Sequence, residues 1–508
     1  MIPRPMKKTR LPILAGMIAA VQILTGCSTV VNAHRQKSDI MANYVAGRFP
    51  AAQEELEYEL REPAWYNSSK VNTGDEVMWR VEAGALNCLM GKDEQSIRHF
   101  ERAEALIEDF DERAVVNLRE AGAEASVLLT NPNALPYRGW CRDRIMIPVY
   151  KAFAYLGKGD EKGFQTELYR LRSNQDAVMD QYEKFFEAED RAMEKEKARN
   201  RAAASSVNPD AVMRDSRNGE LNGALNETNA AAHRGYAGFL NPFSIFLSAY
   251  GYVRKGSWQN ALVDHERLYR AAPGNPLVRQ YYVTSLLKTG RSIPPELKGI
   301  RPLDFSLENG NVLVVFANGR SAALRQIQLY IPVIIPRYYA TLAAVAWPVC
   351  EFYPAPFRTL NVSAGGRDLT TTPVADMDGI LAAEYNKRLP GMILRICLST
   401  AVKEFAAFAA TRAASQANEW AGVATAVGTS IYKIAFNTAD TRTWEILPKE
   451  FQIAQFAMPE DRRLVLAPDN RNPATIHFPD DAGSAIVFVN APGPSPHAFT
   501  YRVFNLKN

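Results

Sequence analysis

The chain from residue 38 to about residue 291 carries apolar residues at helical spacing, in segments that come in pairs. In the clearest pair, apolar positions in residues 83–89 lead to a turn at Gly91, and a second apolar series fills residues 96–106. Residues three and four positions apart share one face of a helix. The pattern therefore predicts two amphipathic helices joined by a short glycine turn.

The same arrangement recurs at three more turns, at Gly47, Gly159 and Gly256. A small residue follows the turn at Ala52 and at Ala261, whereas the copy at Gly159 carries Phe164. A small residue that lets two helices approach is typical of tetratricopeptide repeats, but these turns do not keep the regular period of about 34 residues. We expect an all-α, degenerate tetratricopeptide-like domain over residues 38–293, with a plain helical bundle as the alternative.

Two stretches inside this region differ in composition. Residues 187–201 are rich in charged residues with high helix propensity and lack an apolar face, so we expect a solvated helix end. Residues 202–235 are rich in Ala, Asn, Ser and Asp, a composition typical of a weakly ordered segment. We therefore predict a flexible loop over residues 202–235.

Beyond Pro294 the pattern changes to short β-branched runs bounded by glycine or proline. Such runs predict strands, and they occur at residues 311–316, 326–330, 359–363, 484–490 and 499–503. Residues 376–436 return to helical spacing. We expect residues 294–508 to form an α+β domain with helices packed on an antiparallel sheet.

The N-terminus has the pattern of a secretory signal. Four cations and no acid precede residue 11, an apolar run fills residues 11–24, and Leu24-Thr25-Gly26-Cys27 follows. This tetrapeptide resembles the lipobox, in which signal peptidase cuts before a cysteine that carries diacylglycerol. We predict a signal peptide over residues 1–26 and lipidation of Cys27, the alternative being an ordinary signal with an accidental cysteine.

After the signal, residues 27–37 are predicted to be a lipidated polar tether. Two or three acyl chains hold a protein firmly, since each buried CH₂ contributes about 0.8 kcal/mol. Ser28 follows the lipidated cysteine, which by resemblance to enterobacterial sorting rules favours the outer membrane. The expected location is the cell envelope, with the membrane as a partner through the N-terminal lipid.

Charge and cysteine content limit the remaining classes. The formal net charge of the whole chain is +4, and the four cations before Cys27 account for it, so nucleic-acid binding is not expected. No uncharged apolar stretch after Cys27 reaches the length of about 18 residues that a spanning helix needs. Cys88 and Cys397 lie in apolar helical contexts and are predicted to be buried thiols, while any pairing that involves Cys141 or Cys350 stays open.

Motifs that would carry catalysis are weak. The histidines lack HxxxH spacing, and the nearest match to a nucleophile elbow, from Gly319 to Ala323, lacks the second glycine, so we expect a turn after a strand. Gly365-Gly366 is interpreted as a hairpin turn, and Asp376 with Asp378 as a helix cap and first turn. We predict no catalytic, cofactor or metal site and no enzyme activity.

An alanine-rich segment over residues 399–426 allows two interpretations. Charges interrupt it, including Lys403 and Glu404, which argues against a membrane span. Small residues let helices pack closely, so a buried core helix is favoured. The same property also fits a seam between copies of the chain, and a homo-oligomer therefore stays possible.

Several short segments together resemble an uncharacterised family of bacterial outer-membrane lipoproteins with tetratricopeptide-like helical repeats. The segments are the lipobox, residues 236–243, residues 315–335, and residues 439–444 followed by Leu447-Pro448. The resemblance implies the two-part layout and an envelope location, and it supplies no catalytic residues. Within the last segment, Asp440 and Arg442 are expected to pair on one side of an extended chain, with Trp444 and Pro448 as anchors.

The expected function is that of an accessory or scaffold lipoprotein that binds protein partners through its helical-repeat surface. Stacked helical pairs form extended concave surfaces suited to proteins and peptides. The alternative is an envelope enzyme acting on polysaccharide or peptidoglycan, with its site beyond residue 300. A third possibility is a component of an oligomeric ring.

Overall fold

The computed structural model describes residues 33–120, 135–236, 240–335, 339–417, 438–468 and 473–506. Cys27 and the segment before it lie outside these residues. The predicted order is confirmed at the level of secondary structure, because helices fill the first half of the described chain and strands with one long helix fill the second.

The helices of the first half are α1 (Ala33–Gln36), α2 (Ser38–Val45), α3 (Phe49–Glu59), α4 (Glu76–Leu89), α5 (Asp93–Glu120), α6 (Cys141–Gly157), α7 (Glu161–Arg199), α8 (Arg201–Ala204), α9 (Pro209–Arg214), α10 (Gly219–Ala232), α11 (Pro242–Arg254), α12 (Trp258–Ala271) and α13 (Pro276–Lys288). Helices α9, α11 and α13 each follow an Asn-Pro step. The side chains of Asn208, Asn241 and Asn275 each accept two backbone N–H groups of the first turn. These caps satisfy donors that a helix leaves open, and they set where each helix begins.

The predicted glycine turns between paired helices are confirmed at all four positions. Gly47, Gly91, Gly159 and Gly256 have φ of +80°, +75°, +76° and +67°. At the first turn, the Gly47 N–H donates to the Tyr44 carbonyl, and the Arg48 N–H donates to the Asn43 carbonyl. This is the Schellman arrangement, which needs a left-handed residue and therefore favours glycine.

The small residues after these turns let the paired helices approach. Ala52, Ser96 and Ala261 are fully buried. The Ser96 hydroxyl donates to the Gly84 carbonyl of the preceding helix at 2.7 Å. A β-carbon at Gly84 would lie 2.8 Å from the Phe100 ring, so the contact between α4 and α5 requires glycine there.

The prediction of a flexible loop over residues 202–235 is wrong. Helices α8, α9 and α10 occupy it, and Val212 and Leu221 are fully buried. The Asn218 side chain donates to the Tyr330 carbonyl at 3.0 Å and accepts the Tyr330 N–H at 2.8 Å. Burial of a few apolar side chains and pairing to a strand outweigh a polar composition.

The polar tether is shorter than predicted, because the chain is already folded at Ala33. Helix α1 begins there, Ala33 is buried, and the side chain of Lys37 is fully buried. Two carboxylates from distant segments enclose this lysine.

The strands are β1 (Asn311–Asn318), β2 (Ala323–Ile335), β3 (Tyr339–Glu351), β4 (Leu360–Ala364), β5 (Arg367–Thr370), β6 (Thr372–Asp376), β7 (Glu450–Ala457), β8 (Arg463–Pro468), β9 (Ala474–His477), β10 (Ser484–Ala491) and β11 (Thr500–Leu506). A five-stranded sheet has the order β11-β10-β1-β7-β6, and a four-stranded sheet has the order β5-β4-β8-β9. Strands β1 and β10 are parallel. The prediction of an antiparallel sheet is therefore wrong for this pair, because the long connection from β1 to β10 returns the chain in the same direction.

Strand β1 is buried on both faces of the five-stranded sheet. Val312 and Val314 pack with Leu360 and Val362 of the four-stranded sheet. Leu313 and Val315 point the other way and join the core formed with the helices. Alternation along a strand thus places the sheet between a second sheet and a helical layer.

The helical layer and the five-stranded sheet share one apolar core. Phe243 of α11 stacks on Phe451 of β7 with ring centroids 4.0 Å apart. Phe153 of α6 meets Phe488 of β10 edge to face at 4.8 Å. The predicted boundary near residue 294 separates the helical part from the part that contains the strands. The two ring contacts join residues on either side of this boundary.

Strands β2 and β3 form a long hairpin of their own, with helix α14 (Met377–Ala417) beside it. Alternate residues of β2 are buried, from Ile327 to Ile335. In α14, Ala401 is fully buried and Ala407 is nearly so, which confirms the predicted core helix for this part. Residues 418–426 of the predicted alanine-rich segment lie outside the described residues.

Candidate functional site

An extended segment, residues 438–449, runs between the helices and the five-stranded sheet. It has no regular secondary structure, and residues 441–448 are all buried. Buried backbone groups need partners, and here side chains supply several of them. Trp140 Nε1 donates to the Arg442 carbonyl at 3.0 Å, and the Tyr44 hydroxyl donates to the Ile446 carbonyl at 3.1 Å.

Charged side chains complete the partners of this segment. The Glu82 carboxylate accepts the backbone N–H groups of Glu445 and Ile446 at 2.8 and 2.9 Å. The Lys37 ammonium lies 2.8 Å from Glu82 Oε1 and 2.9 Å from Glu445 Oε1. It also donates to the Thr443 carbonyl at 2.6 Å. One buried cation therefore sits between two buried carboxylates.

The charges of this cluster are set by burial and by one another. Burial alone would lower the pKa of Lys37, but Glu445 and Glu82 outweigh it and raise that pKa. Burial would raise the pKa of Glu445, yet Lys37 and His34 hold it at about 2. Burial raises the pKa of Glu82 above its ordinary value. The lysine and Glu445 are therefore ionised at neutral pH.

His34 closes the cluster at its solvent edge. Its Nδ1 lies 3.3 Å from Glu445 Oε1, and its Nε2 lies 3.3 Å from Glu351 Oε2. Burial would lower the pKa of His34, but the two carboxylates raise it to about 9. The side chain is 26% exposed, so water reaches the ring.

The raised pKa of His34 predicts a loss of stability in mildly alkaline solution. In the unfolded chain the ring loses its proton near pH 6.5 and in the folded chain near pH 9, so its contribution is complete below about pH 6.5 and disappears as the pH rises through 9. We expect this contribution to the free energy of unfolding to be about 2 kcal/mol after allowance for solvent screening.

Urea unfolding at a series of pH values measures this effect, because His34→Gln should remove the dependence between pH 6.5 and 9. His99→Gln is the matched control. Burial and nearby arginines lower the pKa of His99 to about 4, so its ring is neutral over that range. Parallel slopes for the wild type and His34→Gln would contradict the prediction.

The expected pairing of Asp440 with Arg442 is confirmed. Arg442 Nε and one terminal nitrogen each lie 2.8 Å from an oxygen of Asp440. The other terminal nitrogen donates to Asp75 at 3.0 Å and to the Leu135 carbonyl at 2.9 Å. Arg442 therefore ties the extended segment to Asp75 and to Leu135, two points far from it along the chain.

Gly319 and Ser321 form a turn, as predicted for this near match to a nucleophile elbow. Gly319 has φ of +71° and directly follows β1. The Ser321 hydroxyl is fully buried and accepts from the Arg142 guanidinium at 2.8 Å. Arg142 also donates to Thr443 Oγ1 at 2.8 Å, so it ties this turn to the extended segment.

The other predicted turn and cap are confirmed as well. Gly365 and Gly366, with φ of +52° and +73°, join β4 to β5. Asp376 accepts the Gly379 N–H at 2.8 Å at the start of α14. Asp378 is fully buried, and its carboxylate pairs with Lys449 at the end of the extended segment.

Thiols, metals and membrane spans can be assessed for the residues that the structure describes. Cys88, Cys141, Cys350 and Cys397 are buried and free of disulfides, which confirms the predicted thiols at Cys88 and Cys397. No group of acidic, cysteine or histidine side chains in the described ranges is arranged to hold a metal ion. Within the same ranges, no helix combines the length and the hydropathy needed to cross a bilayer.

A recess of about 350 Å³ opens on the surface between α7, α11 and the end of β11. The side chains that define it are Lys162, Gln165, Tyr169, Arg254, Lys255 and Leu506. Tyr169 is 37% exposed, and its ring lies 4.9 Å from that of Tyr252. Gln165 Nε2 donates to the Gly251 carbonyl at 3.0 Å, which fixes α7 against α11. The recess therefore lies where two helical pairs meet.

The rim of the recess carries more positive than negative charge. The charged groups that line it are three cations, Lys162, Arg254 and Lys255, and one anion, Glu161. Arg172, on the same helix as Tyr169, has its guanidinium 4.7 Å from the centroid of the Tyr252 ring. Exposed aromatic surface beside the exposed lysines suits a segment that presents an apolar side chain and a carboxylate.

Sequence reasoning missed the recess and the roles of His34 and Lys37. The recess depends on which helices become neighbours, and no local pattern reports that. For Lys37 a signal was present, since Ala33, Lys37, Met41 and Tyr44 follow helical spacing and all four are buried.

Comparisons with known proteins give no relative for this arrangement. No protein-family model matches the chain, and neither the curated proteins nor the solved structures searched contain a match.

Proposed function

We propose that this protein is an accessory lipoprotein of the cell envelope, anchored through Cys27, that holds a protein partner against tetratricopeptide-like helical pairs. Three features support the proposal. The lipobox at residues 24–27 supplies the anchor, the four glycine turns give the helix–turn–helix units, and the resemblance to outer-membrane lipoproteins agrees with both.

The observation that carries the proposal is the recess between α7 and α11. It lies at the junction of two helical pairs, it exposes Tyr169, and Lys162 and Lys255 stand on its rim. A partner segment with an apolar residue next to an acidic one would place the first on Tyr169 and the second near the lysines. A membrane anchor raises the local concentration of such partners.

Photo-cross-linking in the membrane tests the recess as the docking point. A photoreactive phenylalanine analogue in place of Tyr169 should give one dominant protein adduct, and the same group in place of Leu287 is the matched control, since Leu287 is also exposed. The double variant Lys162→Glu/Lys255→Glu should weaken the adduct about tenfold, because it reverses two charges that face the partner.

Two further variants sharpen this test. Lys298→Glu reverses an exposed charge away from the recess and should leave the adduct unchanged. Cys27→Ala should reduce the adduct by releasing the protein from the membrane. Equal adducts from positions 169 and 287, or insensitivity to both lysine reversals, would argue against docking at the recess.

A further inference from the structure

A closed loop, residues 60–69, projects from the end of α3. The Lys70 N–H donates to the Glu59 carbonyl at 2.8 Å, which brings the two ends of the loop together. The Ser69 hydroxyl donates to the Arg61 carbonyl at 2.6 Å and closes the loop a second time. A loop pinned at its base in this way holds its tip in a defined position.

The tip of this loop is a tight turn that presents two aromatic side chains to solvent. The Asn67 N–H donates to the Ala64 carbonyl at 3.1 Å, and the Asn67 side chain accepts the Ala64 N–H at 3.1 Å. Trp65 and Tyr66 occupy the middle of the turn and are 96% and 74% exposed. Their rings meet edge to face, with the centroids 5.6 Å apart. We call Trp65 and Tyr66 the aromatic turn.

The base of the loop contacts the first helix of the described chain. The Lys70 ammonium donates to Gln36 Oε1 at 3.4 Å, and Gln36 is the last residue of α1. Cys27 lies six residues before Ala33, a distance of at most about 20 Å for an extended chain. The chain that leads to the lipid and the loop that carries the aromatic turn thus leave the protein from neighbouring points.

The charge around the aromatic turn is balanced. Within the loop, Arg61 is the cation and Glu62 the anion. The Arg61 guanidinium lies 3.6 Å from the centroid of the Tyr58 ring, which is itself 62% exposed. Attraction to an anionic surface is therefore weak, and the exposed surface favours contacts made by rings. Trp and Tyr are the side chains that collect at the level of lipid headgroups, because they combine an apolar ring with a polar group.

We propose that Trp65 and Tyr66 insert into the headgroup region of the membrane that holds Cys27, as a second contact beside the lipid. The proposal rests on the lipid anchoring in the proposed function. A lipid surface is favoured over a protein partner, because a lipid on Cys27 places the membrane within reach of the loop. A protein partner at this turn is the competing outcome of the test.

Tryptophan fluorescence of the full-length lipidated protein, in vesicles of phosphatidylethanolamine and phosphatidylglycerol, tests the proposal. The difference between wild type and Trp65→Phe isolates the emission of Trp65. We expect brominated phospholipid to quench this emission, and we expect quenching by aqueous iodide to fall severalfold relative to Cys27→Ala free in solution. The difference between wild type and Trp258→Phe is the matched control for a partly exposed tryptophan on α12, and brominated lipid should not affect it.

The outcomes separate this inference from the anchoring on which it rests. Protein that is bound to vesicles through Cys27, yet leaves Trp65 open to iodide and untouched by brominated lipid, would overturn the membrane contact alone and point to a protein partner. Absence of lipid on Cys27 in the purified wild type would overturn both proposals. Because Trp65 is almost fully exposed, Trp65→Phe should fold like the wild type.

Discussion

Replacing Lys37 with methionine is expected to lower the free energy of unfolding by about 3–5 kcal/mol. The side chain is fully buried between the carboxylates of Glu82 and Glu445. Without the ammonium, the ionised Glu445 and the buried Glu82 carboxyl group would both lose the cation that lies between them in a water-excluded site. The Thr443 carbonyl would also lose its donor.

Urea unfolding of Lys37→Met beside Lys184→Met measures this effect. Lys184 also pairs with a carboxylate, that of Asp180, but its side chain is 74% exposed. Exposed pairs within one helix contribute about 0.3–0.5 kcal/mol, so the control should stay close to the wild type. Similar losses in the two variants would show that the buried cluster does not stabilise the fold as described.

Replacing Trp444 with alanine is expected to lower the free energy of unfolding by about 3–5 kcal/mol, by leaving a cavity. Trp444 is fully buried, and its ring centroid lies 5.7 Å from that of Phe100 and 5.5 Å from that of Tyr150. These two rings belong to α5 and α6. The cavity would therefore open where the extended segment meets two helical pairs.

The matched control for this variant is Trp65→Ala, which removes the same side chain from an exposed turn. A surface substitution of this kind changes stability by about 0.5 kcal/mol or less. Urea midpoints of the two variants compare the buried with the exposed tryptophan directly. A loss below about 1 kcal/mol for Trp444→Ala would mean that the surrounding helices collapse into the space.

The helical pairs could be predicted from the sequence because their signals are local. At Gly47, Gly91, Gly159 and Gly256, one glycine in the left-handed conformation ends a helix by hydrogen bonds to residues just before it. The Asn-Pro steps and the Gly365-Gly366 hairpin are of the same kind. Each needs a few neighbouring residues and no knowledge of the rest of the fold.

The arrangement of the sheet could not be predicted, because strand order depends on contacts between distant residues. The apolar runs of β1 and β10 predict two buried strands, but neither run indicates that the two strands pair in parallel. Strand β3 was not predicted, because it is rich in alanine, although it pairs with β2 along its whole length. Periodicity identifies elements, and pairing partners need tertiary information.

In the candidate site, too, local contacts could be predicted from the sequence and contacts between distant residues could not. The pairing of Asp440 with Arg442 follows from a spacing of two on an extended chain, and it was predictable. The enclosure of Lys37 needed Glu82 and Glu445, which lie far along the chain. The position of the recess likewise depends on the contact between α7 and α11.

The contacts of the extended segment also determine which parts of the native state can form only late in synthesis. The His34 N–H donates to Thr441 Oγ1 across 407 positions of sequence, and Lys37 reaches Thr443 across 406. Chains are made from the N-terminus, so Glu82 becomes available to Lys37 early, whereas Glu445 and the Thr443 carbonyl become available only when nearly the whole protein has emerged. The buried cluster around Lys37 is therefore completed late in folding, when the C-terminal part of the chain adds Glu445 and the Thr443 carbonyl to the contact with Glu82.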